Sequence, residues 1–267
     1  MNQRTREITS FAKVLFMNTT TPSHTVVSRE EWTKARKELL QEEKEYTQLR
    51  DKLRARRAEL PWVPVDQDYV FEGAQGPVTL AELFRGRSQL IVQHFMLGPG
   101  WEEGCKGCSF MADHVDAARQ HFEHHDVAFA AVSRGTYPEI AKFQKRLGWR
   151  FPWVSSYGNS FNYDYHVSFT PEQMASGRIT YNFEEGDAEI DELPGLSAFY
   201  KDESGRIYHT YSSYARGCEE LIGTYMFLDL APKGRNETTI MDWMRHHDRY
   251  EDAASAESCC GSKEVTA

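Results

Sequence analysis

The middle of the chain alternates short apolar runs with amphipathic segments. Residues 89–96 (QLIVQHFM) and 127–133 (VAFAAVS) are apolar almost throughout, which is typical of strands buried on both faces of a mainly parallel sheet. The segment between them has apolar residues at helical spacing on one face: Met111, Val115, Ala118 and Phe122. The pattern therefore predicts a β-α-β unit with a right-handed crossover.

Further elements extend this unit on both sides. Residues 136–147 predict a second helix, which Gly148 ends, and residues 151–155 predict a third strand. The other predicted strands are 68–72, 196–200 and 206–211, of which the last two form an antiparallel hairpin, and the other predicted helices are 79–84, 218–227 and 239–250. Together they indicate an α/β fold with a central mixed sheet flanked by helices.

A long charged helix is predicted before this body. Ser28 and Glu31 form a capping box, and Pro61 stops the helix. The helix has one narrow apolar stripe with a large residue at every seventh position: Trp32, Leu39, Tyr46, Leu53 and Leu60. Such a stripe suits packing against the body, or against a second copy of the chain in a homodimer, better than a long free coiled coil.

The same pattern divides the chain. Residues 157–192 are rich in Tyr, Asn, Gly and acids, which indicates a long insertion with little regular structure. We expect a disordered lead, a helical arm, one folded domain that contains the insertion, and a flexible tail: residues 1–27, 28–61, 62–250 and 251–267.

Composition and charge exclude several function classes. A net charge of -9, with Lys and Arg interleaved with acids, argues against a nucleic-acid partner. No apolar run is long enough to span a bilayer, so no membrane association is expected. Five cysteines in 267 residues do not make a disulfide scaffold, and the expected location is a reducing cytoplasm. There is no G-x-G-x-x-G motif between a strand and a helix to bind a flavin, and no cofactor is expected.

The most informative motif is the C-x-x-C pair formed by Cys105 and Cys108, which opens an amphipathic segment after the strand at 89–96. A helix N-terminus stabilises a thiolate through its dipole and its free N–H groups. Cys105 is therefore the predicted nucleophile, and Cys108, one helical turn later, is the predicted resolving thiol. Lys106 adds a cation that should lower the pKa of the thiol and that faces the substrate.

The alternative for this pair is half of a metal site, which needs two more ligands. Those ligands could come from histidines or from Cys259 and Cys260. Adjacent cysteines in a Ser- and Gly-containing segment can capture soft metals or pass electrons to a buried dithiol. An accidental exposed pair is the simpler interpretation of Cys259 and Cys260.

Three other residues are candidates for the site. His94 lies on the strand before the cysteines, where it could shuttle a proton to Cys108 or be a hydrogen-bonded core residue. Arg134 follows the second buried strand, where it could hold a thiolate, peroxide or carboxylate, or simply pair with a surface acid. Trp101, in the loop before Cys105, could shield the site and contact partners or pack locally.

These elements resemble the thioredoxin fold, in which a strand leads to C-x-x-C at a helix start and a cis-proline before a hairpin faces the redox pair. Residues 130–157 are also similar to the matching part of peroxiredoxin-like members of that superfamily. Over about residues 27–250 the chain more closely resembles the DUF899 family, a bacterial group of thioredoxin-like proteins, in several motifs: VSREEW at Val27, GPGWEEGC at Gly98, ELPGLSAFY at Glu192 and TYSSYARG at Thr210.

The resemblance implies a thioredoxin-like fold with the long insertion placed before a cis-Pro hairpin. Pro194, if cis, and the adjacent Gly195 would bring backbone beside the sulfurs and offer an extended substrate a strand edge. The implied function is dithiol-disulfide exchange by an oxidoreductase whose client is a disulfide-containing protein or a small thiol.

Two alternatives to this function stay open. A peroxiredoxin-like thiol peroxidase would use Cys105 on peroxide, but such enzymes have the motif P-x-x-x-T-x-x-C. Here Pro99 lies six residues before Cys105, and a glutamate takes the place of the threonine. The other alternative is a non-enzymatic metal-binding or partner-binding protein.

Overall fold

The structure is a computed structural model that describes residues 24–250. Most of the expected disordered lead and the whole expected flexible tail lie outside the described residues. Cys259 and Cys260 lie outside them as well.

The N-terminal arm is a single helix, α1 (Arg29–Ala58), with the predicted capping box in place. The Glu31 carboxylate accepts a hydrogen bond from the Ser28 amide at 2.9 Å, and the Ser28 hydroxyl accepts one from the Glu31 amide at 3.2 Å. At 1.5 Å per residue the helix is roughly 45 Å long. None of its residues is buried, so its apolar stripe does not pack against the described body. The arm meets the body at its end, where Arg57 and Glu220 form an ion pair of 3.0 Å.

The body is built on one eight-stranded mixed sheet with the order β1-β10-β9-β4-β5-β6-β2-β3. The strands of this sheet are β1 (Val63–Pro64), β2 (Val70–Gly73), β3 (Gly76–Thr79), β4 (Gln89–His94), β5 (Val127–Ser133), β6 (Trp153–Ser155), β9 (Gly195–Lys201) and β10 (Ile207–Tyr214). The short strands β1 and β3 were not predicted, since two to four residues are too few to give a period.

The centre of the sheet has a thioredoxin-like topology. Strands β4, β5 and β6 are parallel, and β9 runs antiparallel to β4 before the β9-β10 hairpin. The crossovers are helical: α3 (Lys106–Ala112) and α4 (Val115–His124) lie between β4 and β5, and α5 (Tyr137–Leu147) lies between β5 and β6. The predicted parallel unit and hairpin are therefore confirmed, and the fold is thioredoxin-like.

The sheet separates two cores, because side chains alternate along each strand. On what we call the thiol face, Phe95, Phe129 and Ala131 pack with residues of α3, α4 and α5. On what we call the aromatic face, Leu90, Val92 and their neighbours pack against α2 (Leu80–Leu83) and a cluster of rings that includes Phe161, Tyr165 and Phe199.

The insertion has more regular structure than predicted. It contains α6 (Phe161–Asp164), α7 (Pro171–Ser176) and a hairpin of β7 (Arg178–Tyr181) with β8 (Glu184–Asp187). Phe161, Tyr165 and Val167 are buried in the aromatic-face core. The insertion, whose Tyr, Asn and Gly content suggested an irregular loop, thus covers one face of the sheet.

The predicted C-terminal helices are largely wrong. Residues 218–227 are divided between a 3-10 helix (Ala215–Leu221) and α8 (Gly223–Leu230), and residues 239–250 contain turns and one short 3-10 helix (His247–Arg249). Met241 has a positive φ of 63°, which interrupts a helix. Side-chain contacts to the body outweigh the helical propensity of this segment.

The predicted cis-proline is also not observed, because the described residues contain no cis peptide bond. The Leu193 amide donates to the Val167 carbonyl at 2.8 Å, and the Pro194 carbonyl accepts from the Tyr181 hydroxyl at 2.7 Å. These bonds hold the trans peptide, the favoured isomer, at the start of the hairpin. No helix within residues 24–250 is both long and apolar enough to cross a membrane.

Candidate active site

The loop after β4 turns back sharply and places Cys105 at the N-cap of α3. The Cys105 amide donates to the Met96 carbonyl at 3.0 Å, which fixes the loop to the end of the strand. Gly104 is needed for this approach: a Cβ atom there would lie 2.5 Å from Phe95 and 2.8 Å from Phe143. The glycine directly before Cys105 therefore allows the thiol to lie at the start of α3.

Cys105 and Cys108 are brought together as free thiols. Cys105 is partly exposed, whereas Cys108 is only 2% exposed. A hydrogen bond from the Cys108 thiol, with further bonds from the backbone amides of Cys108 and Gly107, lowers the pKa of Cys105 to about 6, although burial opposes this shift. The same hydrogen bond, together with burial, raises the pKa of Cys108 well above its ordinary value. The pair therefore consists of one accessible thiolate and one buried thiol.

Contrary to the sequence prediction, Lys106 is not among the groups that lower the pKa of Cys105. Its side chain is exposed, and the groups that lower the pKa of Cys105 are the Cys108 thiol and two backbone amides. The first turn of α3 thus activates the sulfur mainly through hydrogen bonds that it donates itself.

Gln93 is a residue of the site that the sequence analysis missed. It is completely buried, and its Nε2 donates to the Cys108 carbonyl at 2.9 Å, while its Oε1 has no partner among the described residues. A strand alternates sides at every residue, so the polar residue two before Phe95 must face the same side as Phe95. That signal was present in QLIVQHFM.

His94 faces the other way. Its ring packs against Phe161 and Tyr165 on the aromatic face, with ring centroids 5.5 Å away in both cases. Its Nε2 is hydrogen-bonded to the Ser197 hydroxyl at 2.8 Å. Burial, with a smaller contribution from His209, lowers the pKa of His94 to about 3, so the ring is neutral. His94 is therefore not placed to shuttle a proton to Cys108.

Arg134 is engaged by the insertion. Its guanidinium donates to Glu192, to the Asp191 carboxylate at 2.7 Å and to the Tyr163 hydroxyl at 2.9 Å. Glu192 is only 1% exposed, and this burial raises its pKa against the opposing effect of Arg134. Arg134 also borders a cleft of about 350 Å³ with Pro99. The structure thus places Arg134 in an ion-pair network with the insertion.

The other candidates have packing roles. Trp101 is partly buried in the thiol-face core, and its Nε1 would lie 2.9 Å from a Cβ atom at position 98, so it folds over its own loop. Gly195 pairs with His94 across the β4-β9 ladder, and a Cβ atom there would lie 2.9 Å from the Tyr214 ring. Glycine is required there for close packing.

A further part of the site comes from the segment predicted as a helix at 239–250. A Cβ atom on Gly107 would lie 3.5 Å from Met241 Sδ, 3.8 Å from Cys105 Sγ and 3.9 Å from Met244 Cε. His246, 3% exposed, donates from Nε2 to the Gly104 carbonyl at 3.0 Å. Two thioethers and an imidazole thus lie beside the turn that holds the nucleophile, far away in the sequence.

A metal site would need two more ligands beside Cys105 and Cys108. Within residues 24–250 there is no set of three or more His, Cys, Asp or Glu side chains placed to hold a metal ion. Cys218, the third cysteine described, is buried, which raises its pKa to about 12.

Comparison with protein families gives one match that covers most of the chain. The family described as "Bacterial protein of unknown function (DUF899)" matches residues 21–250. Among curated proteins, none matches the sequence.

Several solved structures are similar to the chain. Peroxidoxin BcpB from Mycobacterium tuberculosis is 12% identical, with 62% of this chain and 95% of that chain covered and a TM-score of 0.42. Peroxiredoxin Q from Xanthomonas campestris is 12% identical, with 64% and 93% covered and a TM-score of 0.38. A proposed thiol:disulfide interchange protein DsbE from Chlorobium tepidum is 14% identical, with 63% and 97% covered and a TM-score of 0.36. Likeness at this level carries no argument about function.

Proposed function

We propose that this chain, which belongs to the DUF899 family of bacterial proteins of unknown function, is a dithiol-disulfide oxidoreductase that acts through Cys105 and Cys108. The observation that carries the proposal is the asymmetry of the pair. Cys105 is accessible and has a pKa of about 6, whereas Cys108 is buried and has a raised pKa. This division suits a nucleophile and a resolving thiol.

The reaction begins with the Cys105 thiolate. It attacks one sulfur of a client disulfide, a mixed disulfide forms, and the client's other sulfur leaves as a thiolate that takes a proton from water. The Cys105 sulfur is then uncharged and no longer accepts the Cys108 hydrogen bond. Because that bond and that charge are what raise the pKa of Cys108 beyond the effect of burial, its proton becomes easier to remove.

The second step releases the client. The Cys108 sulfur loses its proton to solvent and attacks Cys105 Sγ, which forms the Cys105–Cys108 disulfide and expels the second client thiolate. Two electrons have passed from the protein to the client. Gln93 holds the Cys108 carbonyl throughout and so keeps the first turn of α3 in place.

We favour disulfide exchange over peroxide reduction because the Arg134 guanidinium, which could polarise a peroxide, already donates to Glu192, Asp191 and Tyr163. The side chains beside Cys105 include the Met241 and Met244 thioethers, which are apolar.

The proposal is tested by disulfide reduction with the full chain and its cysteine variants. Cys105→Ser should abolish reduction of a protein disulfide such as that of insulin, and Cys108→Ser should accumulate one equivalent of a mixed disulfide that dithiothreitol cleaves. Cys218→Ala is the matched control, because Cys218 is buried with a raised pKa, and it should keep full activity. Activity that persists in Cys105→Ser would overturn the proposal.

A further inference from the structure

The helical arm exposes a continuous apolar stripe. No residue of α1 is buried against the part of the chain that the structure describes. The large side chains of the stripe are each between 40% and 60% exposed: Trp32, Leu39, Tyr46, Leu49, Leu53 and Leu60. Helices in proteins gain most of their stability from packing of an apolar face, and a continuous exposed apolar patch marks an interaction surface. The stripe therefore indicates a binding surface for a second helix.

Two charged residues interrupt this stripe. When Trp32, Leu39, Tyr46 and Leu53 take the first position of each heptad, called a, the fourth position, called d, is occupied in turn by Ala35, Glu42, Leu49 and Arg56. Glu42 and Arg56 have opposite charges, and both are exposed. A polar residue at an inward-facing heptad position sets the register of a helix pair, and flanking charges set its orientation. Glu42 and Arg56 therefore discriminate between the ways in which two copies of α1 could pair.

Parallel pairing of two copies brings like charges together. Each inward-facing residue then meets its own counterpart, so Glu42 faces Glu42 and Arg56 faces Arg56 of the second copy. Two of the flanking pairs are like-charged as well: Glu38 with Glu43, and Lys52 with Arg57. The charges of α1 therefore oppose a parallel dimer.

Antiparallel pairing brings opposite charges together at the same positions. In the register in which Tyr46 of one copy faces Leu49 of the other, Glu42 and Arg56 of the second copy lie three residues apart along the axis, or about 4.5 Å. The two-fold symmetry of such a pair produces this contact twice. Both interruptions of the apolar stripe are thus neutralised by one arrangement.

The flanking charges agree with this register at its centre. Glu43 lies beside Arg50 of the second copy, and Glu45 lies beside Lys52 of the second copy, each two residues apart along the axis, or about 3 Å. The like-charged flanking pairs fall at the ends of the overlap: Arg36 with Arg57, and Glu38 with Glu59. At that end the Arg57 charge is already paired with Glu220 of its own body at 3.0 Å.

We propose that α1 pairs with α1 of a second copy in an antiparallel dimer, with Tyr46 facing Leu49 and Glu42 beside Arg56 of the second copy. Each body follows the C-terminal end of its own α1, so the two bodies lie at opposite ends of the helix pair. This inference goes beyond the proposed function and does not depend on it, because α1 contains none of the residues of the candidate site.

The test is sedimentation velocity of the full chain at low ionic strength, over a range of protein concentrations. Glu42→Arg and Arg56→Glu each turn both symmetric contacts into like-charge contacts, and each should raise the dissociation constant of the dimer on the order of tenfold or more. The double variant Glu42→Arg/Arg56→Glu exchanges the two charges and should restore the wild-type constant. Asp51→Arg is the matched control, since it reverses a charge on the outer face of the helix, and it should leave the constant unchanged.

The double variant also separates the two orientations. In a parallel dimer, positions 42 and 56 face their own counterparts, so like charges meet in wild type and in all three variants. Charge reversal would then leave the dissociation constant nearly unchanged. Restoration of the dimer in the double variant also excludes misfolding as the cause of the weakening in the single variants.

Three results would overturn the antiparallel dimer. One is a dimer that the single variants do not weaken, and another is a dimer that the double variant does not restore. The third is a wild-type chain that sediments as a monomer at every concentration. Hydrogen exchange of α1 in that monomer would then distinguish a stripe covered by the same chain, which exchanges slowly, from a stripe whose partner is a different protein. Insulin reduction by the same samples tests the proposed function separately.

Discussion

The two faces of the central sheet handle buried polar groups in opposite ways. On the thiol face, Gln93 and the amides of α3 direct hydrogen bonds toward the cysteine turn, and one sulfur stays accessible. On the aromatic face, His94 is hydrogen-bonded to Ser197, which is bonded to Ser212 at 2.8 Å, all enclosed by rings. The first arrangement stabilises a charge, whereas the second keeps its groups neutral.

This difference separates two neighbours in the sequence. Gln93 and His94 are both completely or almost completely buried, at 0% and 1% exposure, yet only Gln93 touches the cysteine turn. A buried titratable side chain next to a reactive motif is therefore insufficient evidence of catalysis. The face of the strand decides which residue belongs to the site.

The largest expected effect is at the carboxyl end of β5, where Arg134 anchors the insertion. Arg134→Met leaves the Glu192 carboxyl buried without its cation and should lower the free energy of unfolding by about 3–5 kcal/mol. Urea denaturation measures this loss. Arg178→Met, which breaks an exposed pair with Glu185, is the control and should cost less than about 1 kcal/mol. A loss of Cys105 reactivity in folded Arg134→Met would contradict the assignment of Arg134 to the insertion rather than to the cysteine pair.

The next effect is on the thiol face. Gly104→Ala places a Cβ atom 2.5 Å from Phe95, and overpacking of this kind should lower the free energy of unfolding by about 1–3 kcal/mol. It should also slow alkylation of Cys105, because the loop must shift. Gly186→Ala, where no atom lies within 4 Å of the added Cβ, is the matched control. Equal thermal stability of the two variants would refute the packing argument for Gly104.

The pH dependence of stability tests the neutral aromatic face. The pKa of His94 is about 3 in the folded protein, against about 6.5 when unfolded. The unfolded chain thus binds a proton that the folded chain refuses, and stability falls as pH drops from about 6.5 toward 3, by about 1.4 kcal/mol per pH unit. His94→Gln should remove most of this slope. A smaller pH dependence of the same sign should remain, because burial also lowers the pKa of His209.

Chemical denaturation at pH 7 and at pH 5 measures that slope. The exposed His24→Gln variant provides the control and should keep the wild-type difference between the two pH values. If His94→Gln keeps it as well, the ring is not the group that resists protonation. Alkylation of Cys105 should be unchanged in His94→Gln.

The smallest expected effect is that of Gln93→Leu, which distinguishes Gln93 from its neighbour His94. Gln93→Leu removes the bond to the Cys108 carbonyl and should cost about 0.5–1.5 kcal/mol of unfolding free energy. Alkylation of Cys105 should change several-fold, unlike in His94→Gln. Gln89→Leu, on the exposed end of the same strand, should change neither quantity measurably. Identical Cys105 kinetics in Gln93→Leu and wild type would assign Gln93 to packing alone.

The sequence predicted the centre of the fold because local signals agree there. Apolar runs at β4 and β5, the Thr136 capping box and Gly148 at a φ of 67° all indicate the elements that form. It also identified both cysteines of the candidate site. The arm helix was predicted to within two residues for the same reason, since its cap and its stop are local.

The remainder depends on contacts between distant residues. Met241 and His246 lie beside the cysteine turn because residues 239–250 pack against it and do not form the predicted helix. No pattern of residues at 239–250 predicts these contacts. Arg134 was assigned correctly to a strand end, but its partners come from the insertion 57 and 58 residues later. The alternation of side chains along β4 could have shown that Gln93 and His94 face opposite sides of the sheet.

The proposed function depends most directly on Cys105 being an activated nucleophile. The most direct test is the rate of alkylation of the full chain by iodoacetamide as a function of pH, with peptide 88–106 quantified by mass spectrometry so that only Cys105 is counted. We expect a titration midpoint near pH 6. A midpoint at or above about 8.5, the value of an ordinary free thiol, would contradict it.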